Sequence, residues 1–185
     1  MASTRERLPP IPEADMTPAQ LEAARVISAG PRGTLRGPFA VLVRSPELMD
    51  RVQKLGERIR FASPLSDALR EFAVLTTAAH WRQPYEWSVH APIALKVGVG
   101  PALVEALAEG REPLGMSAEE ALVHAVCGSL NRSGTLDDAL FERAKAAFGE
   151  TGVVELTTLV GYYVMLAMVL NVAGAPPLDG ASTPF

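Results

Sequence analysis

The chain has 185 residues, 48% of them apolar and 21% charged, with a net charge of -4 and a pI near 5.4. That length suits one domain with a sizeable core, and the acidic balance without a dense Lys/Arg cluster excludes a basic nucleic-acid-binding face. A single cysteine, Cys127, excludes an internal disulfide and an intramolecular dithiol couple.

Residues 1–16 carry Arg5, Arg7 and the pair Pro9-Pro10 but no apolar run of signal-peptide type, so a cytoplasmic location is expected. Thr17-Pro18-Ala19-Gln20 reads as a capping box with proline at the first helical position, and Gly30-Pro31 stops that helix. Gly30 to Phe39 follows as a compact loop, for which joining two helices is the default role and lining a pocket the alternative. Ser45-Pro46 opens a helix with Leu48, Val52, Leu55 and Ile59 spaced along one face. The next starts at Ser66 or Asp67 and carries Leu69, Glu71, Phe72 and Leu75 towards Trp81.

Pro84 fits the first position of the following helix, with Gln83 just before it. This helix holds Tyr85, Glu86, Trp87 and His90. Glu86 and His90 are four residues apart, which stacks carboxylate and imidazole on one face, where each sets the other's proton affinity. Such a pair moves protons near neutral pH; the alternative for any Glu/His pair at this spacing is an exposed ion pair. Pro92 cannot donate to the carbonyl of Ser88, so a bend is expected beside His90.

Gly100-Pro101 starts a short helix that ends at Gly110, and Ser117-Ala118-Glu119-Glu120 forms a second capping box. Cys127 lies in an apolar helical run and reads as a buried hydrophobe, and His124 as a hydrogen-bonded core histidine. Thr135 to Asp138 begins a helix that Gly149 terminates, and the last helix runs from about Thr151 to Val172. Val153 to Val172 has bilayer-spanning length, but Glu155, Thr157, Tyr162, Tyr163, Asn171 and the central Gly161 interrupt it. It is expected to be a core or subunit-interface helix buried on all sides, which favours a homo-oligomer over a membrane protein. The tail, residues 174–185, is rich in Pro and Gly and is expected, like residues 1–16, to wrap a neighbour rather than fold alone. His80, Glu86 and His90 match no common zinc spacing, so no metal and no cofactor is expected.

Gly37-Pro38-Phe39, Arg44 to Leu48, Leu69-Arg70-Glu71, Glu86-Trp87-Ser88-Val89-His90, Phe148-Gly149, Glu155-Leu156-Thr157 and Gly161-Tyr162-Tyr163 together resemble the carboxymuconolactone decarboxylase family of the AhpD-like superfamily. The resemblance implies a single all-α domain over residues 1–185, an AhpD-like helical bundle that assembles as trimers or hexamers, with a dimer as the other option. Thiol-dependent members of the superfamily use a glutamate, a Cys-x-x-Cys and a histidine. Here those positions fall on Glu71, on Gln83 and Glu86, and on His90, so both thiols are missing and disulfide exchange is chemically excluded.

The decarboxylase branch implies instead a lyase acting on a small lactone or keto acid. His90 is then the general acid/base, Glu86 shares its proton and Glu71 orients one of them. An anionic substrate wants a cation, for which Arg32 and Arg36 are candidates against a default of solvated loop charges. Gln83, Tyr85, Trp87 and Phe39 complete the candidate substrate-binding set, with Tyr85 and Trp87 also fitting as core or interface fillers. Two alternatives stand beside this reading: an antioxidant peroxidase by family association, and a helical oligomer that binds a small ligand without turnover.

Overall fold

The computed structural model describes residues 6–178 and 180–185. Among these there are helices and no strands, as the all-α expectation requires. A short 3-10 turn, Glu13–Asp15, precedes α1 (Pro18–Ala29), α2 (Pro38–Leu42), α3 (Pro46–Phe61) and α4 (Asp67–His80). Then come α5 (Pro84–Lys96), α6 (Pro101–Ala108), α7 (Ala118–Ser133) and α8 (Asp138–Ala173).

Local chemistry explains most of the boundaries. Prolines 18, 38, 46, 84 and 101 each open a helix, where the missing N–H removes no intrahelical bond. Both capping boxes are formed: Thr17 with Gln20, and Ser117 with Glu120. Gly134 and Gly174 end α7 and α8 in the left-handed region. In α8 the backbone breaks at Gly149, with φ 68° and ψ 174°, so the two expected helices meet end to end across a kink. Asp137, within the expected Thr135 to Asp138 start, caps the first of them. The loop expected over Gly30 to Phe39 contains the start of α2, a single five-residue turn too short to show a period.

The middle of the bundle is α4, whose residues Leu69 to Ala78 are all buried. It packs on α5, α7 and α8, with α6 alongside. Phe72, Leu75, Val123, Leu156 and Leu159 are almost wholly withdrawn from solvent, and each such side chain contributes about 1.5–3 kcal/mol. Within one protomer α8 is covered over only part of its surface. Half of its most apolar stretch, with mean hydropathy 1.9, is covered within the protomer, while Val154, Met168 and Val172 stay exposed. By length and composition it is the one described helix that could cross a bilayer, and core helices share those properties.

The described parts of both terminal segments lie on their own chain. Arg7 donates its backbone N–H to Ala173 O at 2.6 Å. Leu178 donates to the Ser88 hydroxyl at 3.0 Å, and the Phe185 ring meets Trp87 edge-on at 5.4 Å. The tail therefore clasps α5 of the same protomer, where the sequence suggested a neighbour.

Candidate active site

Three residues, Trp81 to Gln83, join α4 to α5, which forces the two helices to run antiparallel and adjacent. Arg82 takes φ 47°, the left-handed residue that ends α4 where glycine is usual. Gln83 then fixes the start of α5: its Oε1 accepts from the backbone of Tyr85 at 2.6 Å and Glu86 at 3.2 Å. Its Nε2 donates to Asn171 Oδ1 on α8 at 3.0 Å, so every polar atom of this buried side chain is committed to structure.

This hairpin brings Glu71 of α4 to His90 of α5. Glu71 Oε2 lies 2.6 Å from His90 Nδ1, and both residues are buried. That contact keeps a proton on Nδ1, which donates to the carboxylate, and leaves Nε2 facing the other way. Nε2 meets the Tyr163 hydroxyl of α8 at 3.3 Å and Glu86 Oε2 at 3.5 Å. The Tyr163 ring stands perpendicular to the imidazole at 5.1 Å between centroids. The dominant partner of His90 is therefore Glu71, across two helices, with Glu86 on the same helix second. Helix α5 continues through Pro92 to Lys96.

Burial alone pushes the His90 imidazole down, but the charge and hydrogen bond of Glu71, aided by Glu86, outweigh it and hold its pKa above the ordinary value. Tyr163 moves the other way from reactivity as a base: burial pushes its phenol well above the usual range, so it stays a neutral donor. Burial raises Tyr162 to about 12 against the pull of Arg32.

Nε2 of His90 points at a cavity of about 220 Å³, room for a small organic molecule. Its wall includes Glu86, His90, Tyr162 and Tyr163 from α5 and α8. The lining also takes in Arg32, Arg36 and Phe39 from the loop and α2, Tyr85 from α5, and Arg60 from the end of α3. Three guanidinium groups against one lining carboxylate make the site attractive to anions. Arg32 lies over the Phe39 ring at 4.3 Å, which holds the cation in place.

Of the residues singled out in the sequence, Arg32, Arg36, Phe39, Tyr85, Glu86 and His90 are brought to this cavity. Glu71 sits behind the imidazole, not on the wall, and so positions His90. Gln83 and Trp87 are not on the wall either: the first caps α5 and braces α8, the second packs on Phe185. Arg60, Tyr162 and Tyr163 are the residues that sequence reasoning left out of the site. The tyrosines sit at adjacent positions of α8 and were legible only as polar interruptions of an apolar helix. Nothing local marked Arg60.

The glycines tell where the packing is closest. A Cβ on Gly56 would fall 2.1 Å from the Tyr162 hydroxyl and 2.6 Å from Arg32 Nη2. One on Gly37, at φ 56°, would strike the Tyr85 ring at 2.2 Å. Cys127 is fully buried, lies elsewhere, and has its thiol pushed up to about 12 by burial. Among the described residues there is no cluster of three or more His, Cys, Asp or Glu fit to hold a metal.

Residues 46–127 match the model of the carboxymuconolactone decarboxylase family, a stretch that spans α3 to most of α7 and includes Arg60, Glu71, Glu86 and His90. No curated protein matches the chain. Among solved structures, the alkylhydroperoxidase AhpD core of an uncharacterized peroxidase-related protein from Ralstonia eutropha JMP134 is similar over 94% of this chain and 92% of that one. The TM-score is 0.75 at 16% identity, a likeness of fold.

Proposed function

We propose, for a chain carrying a carboxymuconolactone decarboxylase family segment in an AhpD-like helical fold, an acid/base lyase acting on a small lactone or keto acid. The observation that carries this reading is the buried Glu71–His90 contact of 2.6 Å, which turns Nε2 toward an arginine-lined cavity. The guanidinium groups draw in the acid and stabilise negative charge as it spreads onto a carbonyl oxygen. When the carbon–carboxylate bond breaks, carbon dioxide leaves and its electron pair stays with the substrate as an enolate. His90 Nε2 then delivers a proton to carbon, and the neutral imidazole keeps its Nδ1 proton, donated to the Glu71 carboxylate. Tyr163 donates a hydrogen bond beside Nε2, and Glu86 shares the proton as His90 is recharged from solvent.

The peroxidase alternative meets a chemical obstacle. The positions of the superfamily's two thiols hold Gln83, spent on capping, and Glu86, and the one cysteine is buried away from the cavity. The reading includes a cytoplasmic homo-oligomer without cofactor, and the exposed Val154, Met168 and Val172 of α8 supply an apolar face that supports self-association. The test is turnover of a panel of lactone and β-keto acids by wild type and His90→Gln. Turnover lost in the variant, with helicity and oligomer size kept, supports the reading; undiminished activity in it overturns the reading.

A further inference from the structure

Three residues that line this cavity carry four buried side-chain atoms with no hydrogen-bond partner among the described residues: Arg32 Nε, Arg32 Nη2, Tyr162 Oη and Glu86 Oε1. Buried polar groups are normally satisfied, so unpaired ones gathered in one cavity mark what a ligand supplies. Their chemistry is not uniform. Arg32 offers two N–H donors in its planar fork, and the Tyr162 phenol, held neutral, offers a third nearby. Glu86 offers a carboxyl oxygen whose companion is turned to His90 Nε2.

We propose that Arg32 and Tyr162 form the carboxylate seat of this site, and that Glu86 Oε1 receives a hydroxyl or enol on the same molecule, so that the ligand is a small hydroxy or enolisable acid. The seat is built by Gly56 of α3: without a side chain there, the Tyr162 hydroxyl and Arg32 Nη2 can both come within 2.6 Å of the point at which a Cβ would stand. The Phe39 ring, 4.3 Å from the guanidinium carbon, holds the Arg32 fork at this cavity. Arg36 and Arg60 line the same cavity, and neither has a buried unpaired nitrogen, so they supply field while Arg32 supplies the fork. At the other end the ligand's hydroxyl-bearing carbon comes beside His90 Nε2, the atom that moves protons in the acid/base reading. The proposal rests on that reading only for the choice of cavity.

The experiment is calorimetric binding of three matched probes, isobutyrate, 2-hydroxyisobutyrate and 2-hydroxyisobutyramide, to the full-length protein. The hydroxy acid is expected to bind at least tenfold more tightly than its amide and several-fold more tightly than the plain acid. Arg32→Met should erase the acid-over-amide preference, and Tyr162→Phe, which removes one oxygen, should reduce it severalfold. Glu86→Gln should reduce the preference for the hydroxy acid over the plain acid and leave the amide penalty in place. Equal affinity for acid and amide in wild type, absence of binding included, overturns the proposal, as does a preference that survives both Arg32→Met and Tyr162→Phe. His90→Gln separates the two readings: it should keep the acid preference whether or not the protein turns anything over.

Discussion

Glu71 Oε2 and His90 Nδ1 lie 2.6 Å apart across the α4–α5 hairpin, both buried. The contact fixes which imidazole nitrogen keeps its proton, and it outweighs the burial that would otherwise neutralise the ring. Replacing Glu71 by Gln removes the charge and keeps the shape. The His90 titration midpoint, read from its ring resonances by NMR, should fall below the wild-type value. Activity should drop with it, and its pH profile should shift to lower pH.

The same shift makes stability pH-dependent in a stated direction. A histidine whose folded pKa exceeds its unfolded value of about 6.5 stabilises the fold fully below that value, and the contribution is lost as pH rises through the folded pKa. The stability gap between wild type and His90→Gln, measured by urea unfolding, should therefore be wider at pH 6 than at pH 9. A gap that widens with rising pH would mean that His90 is held neutral.

Gly56 lies inside α3, where glycine ordinarily costs up to about 1 kcal/mol relative to alanine. Here the sign reverses, because the added methyl meets Tyr162 Oη and Arg32 Nη2. Gly56→Ala should destabilise the protein by about 1–3 kcal/mol in denaturant titration and weaken acid binding, as expected of overpacking at a tight site.

The tail is tied to the helix that carries His90. Phe185→Ala removes the edge-on contact with Trp87, a pair contributing about 0.5–1.5 kcal/mol beyond its buried area. Tryptophan fluorescence of the folded protein should change in this variant, and proteolysis should remove the tail faster than in wild type.

Cys127 is buried with its thiol pushed up to about 12, so the native protein should not react with a thiol reagent until it is unfolded. Cys127→Ala should leave catalysis unchanged. Peroxide reduction that depends on Cys127 would revive the antioxidant alternative.

Helix starts were legible because proline at the first turn and the two capping boxes act locally, over four residues. The break at Gly149 was legible for the same reason, although the chain continues straight into a second helix instead of stopping. The site was legible along α5 and less so across the bundle. Glu86 and His90 share a helix face, so spacing found them, but the stronger partner of His90 lies on another helix, and its distance is a property of the packed hairpin. Trp87 is one residue from Glu86 and points about 100° away around the helix, which takes it to Phe185 instead of the cavity. Arg60 and Tyr162 join the site only because α3 and α8 pack beside α2, and no local pattern encodes that meeting. Which face of α8 the protomer leaves uncovered was not legible, because apolar composition does not tell which faces the rest of the chain has enough helices to cover.

The most direct measurement of the central claim is turnover of lactone and β-keto acids in deuterium oxide, following carbon dioxide and the deuterium content of the product. Wild type should release carbon dioxide and place one solvent-derived deuteron on the carbon that lost it, without added thiol or peroxide, and His90→Gln should do neither. The same rate and labelling in His90→Gln, or turnover that appears only with a thiol reductant, would contradict an acid/base centre at His90.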